Sequence, residues 1–129
     1  MSVLSAQMHS SVTELDYTFD GCTSLVTVTW IPETIVHMTY TFRYCTSLTT
    51  APTIPSGVTH LNSAFYGCTS LTGVVTINAD LQAHLDTFED VDFKAQNLTL
   101  AGVSKQLDSI GSTGINYCKE CNGCCQNNH

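Results

Sequence analysis

Hydrophobic positions recur along this chain with a constant period, and the polar positions between them recur in the same register. The recurring aromatic residue is phenylalanine, at Phe19, Phe42, Phe65 and Phe88, which sets the period at 23. Three cysteines have the same spacing, and the tripeptide Thr-Ser-Leu follows each of them: Cys22, Cys45 and Cys68. Because several independent columns share one spacing, the pattern indicates an internal repeat.

A repeat of this length is too short to fold alone and too long for a coiled-coil heptad. It predicts a solenoid, in which each copy forms one coil and equivalent residues stack about 4.8 Å apart. The expected core consists of the phenylalanine and cysteine columns and of two aliphatic columns. The aliphatic columns are Leu25, Leu48 and Leu71, and Ile31, Ile54, Ile77 and Leu100.

Each coil is expected to contain one β-strand and one short helix or turn. Residues 25–29 alternate and are rich in β-branched side chains, which predicts a strand, with equivalents at 48–53 and 71–77. Pro32 and Pro55 break the chain after the strand and start its return. The segment before each phenylalanine, such as residues 59–65, is expected to be a short helix or a turn.

The repeat also suggests how the chain is divided. We expect a single solenoid over residues 1–117, with a partial coil at 1–18, repeats at 19–87 and a C-terminal cap at 88–117. The fourth copy keeps Phe88 but loses the Gly-Cys-Thr-Ser-Leu sequence, as terminal repeats usually do. Within the cap, residues 98–100 are predicted to form a strand and residues 104–110 a short helix. A cysteine-rich tail occupies residues 118–129.

The sequence Ala64-Phe65-Tyr66-Gly67-Cys68-Thr69-Ser70-Leu71-Thr72 resembles BspA-type leucine-rich repeats. The resemblance covers about residues 8–110, and the variant is most similar to the kind found in gut Firmicutes and in phage tail-associated proteins. It implies a leucine-rich-repeat solenoid wound as a right-handed superhelix. Such repeats occur in surface and adhesion proteins, so the resemblance also implies binding without catalysis.

Composition narrows the class of partner. Only 12% of the residues are charged, against about 25% in an ordinary globular domain, and stacked columns explain this because they would bring like charges together. The net charge is −7 and the four basic residues are scattered, which argues against nucleic-acid binding. No apolar run is long enough to insert in a membrane, and residues 1–12 lack the pattern of a signal peptide.

The seven cysteines fall into two groups. Those of the repeat are expected to be small, buried packing residues. The tail cysteines are Cys118, Cys121, Cys124 and Cys125, and their spacing suits disulfides, free thiols or a zinc site, with His129 as a further ligand. Disulfides or free thiols are favoured over zinc, and zinc over an iron–sulfur cluster, so no cofactor other than zinc is expected.

The histidines and acidic residues offer little chemistry by themselves. His37 and His60 share a column, but a two-histidine metal site needs a third ligand and the next position in the column is Ala83. These histidines are therefore expected to be half-exposed residues that contact a partner. No phosphate-binding loop, nucleophile motif or carboxylate pair points to catalysis, and we expect no catalytic residues and no enzyme activity.

Aromatic residues are the main candidates for a binding surface. Trp30 stands in a column otherwise occupied by threonine, so an exposed ring there would be an interaction anchor. The other candidates are Tyr40, Tyr44 and Tyr66, with Tyr17 adding contact area. Packing between coils explains the same residues equally well.

The function expected from the sequence is that of a non-catalytic binding or structural module. It would mediate host attachment or adhesion on a phage particle or cell surface, through contacts with a protein or a glycan. Two alternatives remain open, a cytoplasmic phage-encoded inhibitor that binds a host protein and a small protein that binds metal through its tail. Self-association into a homo-oligomer also remains open.

Overall fold

The computed structural model describes residues 3–4 and 11–102. Four strands are present there: β1 (Val3–Leu4), β2 (Thr27–Val28), β3 (Gly73–Ile77) and β4 (Leu98–Gly102). All pairing is parallel, with β1 beside β2 and β3 beside β4. No helix occurs in this part of the chain.

Adjacent coils lie on one another with the spacing of the sequence repeat. Single parallel bridges join Thr27 to Thr50 and Ile54 to Ile77, and the members of each pair are one full repeat apart. A second ladder on another side of the coils runs through Glu14, His37, His60 and Ala83. The fold is therefore solenoid-like, as expected, while the right-handed sense of its superhelix stays a prediction.

The segments that precede the strands are runs of stacked turns. Thr18 N donates to Leu15 O, and Cys22 N donates to Phe19 O, at 3.1 and 3.0 Å. Between these turns, alternate N–H groups point to the next coil instead, as where Phe19 N donates to Thr41 O at 2.9 Å. The alternative of a short helix at 59–65 is wrong, because a helix needs those N–H groups within its own segment.

Each turn contains a residue in the left-handed region of φ at its third position, as type II turns require. The first such column is Tyr17, Tyr40, Ser63 and Asp86, with φ from 55 to 61°. The second is Gly21, Tyr44, Gly67 and Asp90, with φ from 59 to 76°. The coils thus turn at two fixed places, four positions apart.

A stack of phenylalanine rings occupies the centre of the core. Successive ring centroids along Phe19, Phe42, Phe65 and Phe88 are 5.5, 5.3 and 5.2 Å apart, and the ring planes are within 16° of parallel. The last three rings are fully buried and Phe19 is 5% exposed. The leucine and isoleucine columns are buried around them, whereas Cys22, at the end of its column, is half-buried.

Polar groups inside the core pair with backbone carbonyls of the preceding coil. Thr41 Oγ1 donates to Leu15 O at 2.9 Å, and Cys45 Sγ donates to Phe19 O at 3.0 Å. Burial raises the pKa of the Cys45 thiol to about 12. The three repeat cysteines are not disulfide-bonded, and in the described residues every buried side-chain nitrogen or oxygen has a hydrogen-bond partner.

Two sequence predictions about the strands need correction. The strand expected at 48–53 is reduced to the single bridge at Thr50, since Pro52 lacks the N–H that a ladder needs. Leu100 pairs with Val75, not with Ile77, which pairs with Gly102. The last coil is therefore longer by two positions, and the expected helix at 104–110 lies outside the described residues.

The two extra residues of the last described coil lie before β4, where residues 92–97 form turns that close the coil. Phe93 packs edge-on against Phe88 with centroids 5.2 Å apart. The amide of Gln96 donates to Cys68 O and Leu71 O at 3.1 and 2.8 Å. A side chain thus satisfies carbonyls of the preceding coil at the point where the regular repeat ends.

Replacing Phe42 by alanine tests the role of the ring stack. Phe42 has a phenylalanine on each side and no exposed surface, so we expect Phe42→Ala to lower the free energy of unfolding by about 3–5 kcal/mol. Chemical denaturation measures this change. A loss below about 1 kcal/mol, which is usual for surface substitutions, would contradict the stack.

Two glycines in one column separate backbone strain from side-chain crowding. Both Gly21 and Gly67 have φ of 76°, but a Cβ on Gly67 would lie 2.5 Å from Cδ1 of Tyr44, whereas a Cβ on Gly21 meets nothing within 4 Å. We expect Gly21→Ala to cost about 1–2 kcal/mol through φ alone. Gly67→Ala should cost at least about 1 kcal/mol more through overpacking.

Denaturation of both variants, alone and with Tyr44→Ala, checks this comparison. Removing the Tyr44 ring should bring the cost of Gly67→Ala down to that of Gly21→Ala. Equal costs for the two glycine variants in the presence of Tyr44 would show that the ring does not crowd Gly67.

Candidate binding surface

Three tyrosines occupy turn positions where the backbone disfavours them. Tyr17, Tyr40 and Tyr44 have φ of 61, 58 and 59°, a conformation that costs a residue with a Cβ about 1–2 kcal/mol. Glycine fills the Tyr44 position in the coils on either side, at Gly21 and Gly67. The bulky side chains are therefore kept at a cost in backbone energy.

These tyrosines and Tyr66 form two pairs of contacting rings, which together we name the tyrosine ridge. The Tyr17 and Tyr40 rings stack with centroids 4.8 Å apart. Tyr44 and Tyr66 meet edge to face at 5.5 Å. Tyr17 is 56% exposed and Tyr44 is 46% exposed, while Tyr40 and Tyr66 are half-buried.

Arg43 joins the two halves of the ridge. Its guanidinium carbon lies 4.5 Å from the ring centroid of Tyr40 and 5.4 Å from that of Tyr44, within range of cation–π attraction. The same guanidinium donates to both carboxylate oxygens of Asp20, at 2.9 and 2.7 Å. The hydrogen bonds from Arg43 hold the pKa of Asp20 below its usual value and raise that of the arginine.

The absence of a side chain at Gly67 makes room for the Tyr44 ring. Tyr44 in turn is the main cause of a raised pKa at Tyr66, to which burial and the negative charges of Asp90 and Glu89 add. All of these influences favour the neutral form of the Tyr66 phenol. The ridge thus presents aromatic surface and hydroxyl groups, beside a guanidinium whose charge is balanced by Asp20.

The structure brings only some of the predicted surface residues together. Tyr40, Tyr44 and Tyr66 lie in the ridge. Trp30 is 39% exposed, but in the described part of the chain no ring contact joins it to the ridge. His37 and His60 contact each other with centroids 4.4 Å apart, and both are half-buried.

Sequence reasoning missed the charged partners of these residues. Composition presents Arg43 only as one of four scattered basic residues, although it follows Asp20 by one full repeat. Glu14 likewise precedes His37 by one repeat and is its bridge partner. In each pair the acidic residue occupies the equivalent position of the preceding repeat. Extending the repeat alignment by one copy towards the N-terminus therefore identifies both pairs.

Two groups of residues have donor atoms suited to a metal. Among the described residues, Glu14, Asp16 and His37 bring ligand atoms within 4.8 Å of one another. The tail cysteines at 118, 121, 124 and 125 lie outside the described residues, so a zinc or disulfide role for them stays a prediction. Within the described range, no helix is long and apolar enough to cross a membrane.

A family model described as a BspA type leucine-rich repeat region matches residues 2–122 in six copies. Searches of curated proteins and of solved structures found no match. Leucine-rich repeats generally mediate protein–protein binding and are generally not enzymes, and BspA-type proteins are often extracellular or on surfaces. The matched region covers nearly the whole chain and agrees with the stacked coils, so the chain belongs to the BspA-type leucine-rich repeat family.

Proposed function

We propose that this protein is a non-catalytic adhesion module that binds a protein partner at the surface of a cell or particle. The tyrosine ridge and Arg43 form the contact surface. The observation that carries the proposal is the exposed ring of Tyr44 at a turn position that glycine fills in the coils on either side, beside the exposed ring of Tyr17. Strained residues of this kind are concentrated at functional sites.

The chemistry of the ridge suits a protein interface. Tyrosine and arginine are enriched among the residues that contribute most to binding, and each tyrosine offers a large apolar ring with a hydroxyl group. Arg43 is already held by Asp20 and by two rings. Binding therefore orders fewer side chains than it would on a mobile surface.

A protein partner fits the ridge better than a glycan does. Tyr40 has the Tyr17 ring and the Arg43 guanidinium against it, so this ring already serves contacts within the molecule. The surface that the ridge offers to a partner is apolar ring area with hydroxyl groups. Protein–protein interfaces are enriched in this combination. The general role of leucine-rich repeats in protein–protein binding supports the same choice.

Binding of the labelled full chain to intact bacterial cells tests the proposal. The ridge variant combines Tyr17→Ser with Tyr44→Gly, and glycine accepts the φ of 59° found at position 44. Since each residue of a binding hot spot contributes at least about 1–2 kcal/mol, we expect at least a tenfold loss of affinity. Flow cytometry measures it.

Val74→Ser is the matched control, because Val74 is 59% exposed and lies in β3, outside the ridge. It should bind like the parent protein. Protease treatment of the cells should abolish binding and periodate treatment should not. Unchanged binding by the ridge variant would refute the role of the ridge, and loss only after periodate would point to a glycan.

A further inference from the structure

We propose that Glu14, Asp16 and His37 form a binding site for a divalent metal ion of the zinc class. The site is independent of the tyrosine ridge. It combines two carboxylates from one coil with an imidazole from the next, and it lies on the ladder that joins the two coils.

The backbone holds the donor residues side by side. Glu14 and His37 are partners in a parallel bridge, and Leu15 N donates to His37 O at 2.9 Å. Side chains of paired residues lie on the same face of a ladder, so the Glu14 and His37 side chains project together. Asp16 lies in the turn that begins at Leu15, and that turn brings one of its carboxylate oxygens near the ligand atoms of Glu14 and His37.

The donor atoms are close to the spacing that an ion requires. One oxygen from each carboxylate and one imidazole nitrogen lie within 4.8 Å of one another. Around a tetrahedral zinc ion with bonds of about 2.0–2.2 Å, ligand atoms lie about 3.3–3.6 Å apart. Glu14 is exposed, so its side chain can rotate towards an ion held by Asp16 and His37.

Two contacts already orient the other donors. The Asp16 carboxylate accepts a hydrogen bond at Oδ1 from Thr39 N at 2.8 Å. The His37 ring packs against the His60 ring, with centroids 4.4 Å apart. Such contacts, which fix the direction of a ligand before the ion arrives, raise metal affinity in known sites.

The mixed donor set selects the class of ion. Imidazole favours zinc and its neighbours in the transition series, whereas carboxylates alone favour magnesium, calcium or manganese. One imidazole with two carboxylates leaves a further position of the ion to water. The net charge of −7 also favours a cation over an anion.

Isothermal titration of the full chain with zinc chloride tests the site. The parent for this test carries serine at all four tail cysteines, which removes the thiol ligands of the tail. We expect one zinc ion per chain, and at least tenfold weaker binding in His37→Gln and in Asp16→Asn. Asparagine keeps a side-chain oxygen for Thr39 N, so Asp16→Asn removes the charge but preserves the hydrogen bond.

His84→Gln is the matched control, because His84 is also half-buried but lies outside the site. It should leave zinc affinity unchanged. In ¹H–¹⁵N spectra of the imidazoles, zinc should shift the His37 signals, which supports the site even if a variant fails to fold. The proposal is overturned if zinc does not bind, if both site variants bind as the parent does, or if the His37 signals do not move.

Discussion

The hydrogen bonds between coils are the constraint on which the rest of the structure depends. Alternate N–H groups of each turn segment donate to carbonyls of the next coil at a constant offset, as from Phe42 to Ala64 and from Phe65 to Thr87. A shift of one position would break this pairing and move the phenylalanine rings out of their stack. The length of the repeat and the core are thus two consequences of one register.

The same register shows which surface residues depart from the repeat. Equivalent residues repeat down each column, so a residue that departs from its column carries information. Tyr44 stands between Gly21 and Gly67, and Arg43 lies against Asp20 one coil away. These departures build the tyrosine ridge, whereas the regular positions build the core.

Periodicity alone predicts the buried columns, because burial follows the repeat wherever its length is constant. It does not predict the pairing of Leu100 with Val75, since two added positions before β4 displace the strand. Nor does it separate turns from a helix at 59–65, because the N–H partners lie in another coil. Three ridge tyrosines are predicted from the sequence as surface residues. The pairing of Asp20 with Arg43 follows from the repeat spacing, but the contact of Arg43 with the tyrosine rings emerges only from the structure.

Two deletion variants test the register most directly. One lacks a whole repeat, and the other lacks a whole repeat less one residue. Removing residues 42–64 takes out one full repeat and joins Thr41 to Phe65, which restores the column. Removing residues 42–63 leaves one position too many and displaces every column beyond the junction. In urea denaturation, the first deletion should unfold cooperatively with a smaller m-value, in proportion to the surface lost, and the second should show no cooperative transition. Equal behaviour of the two deletions would contradict the account.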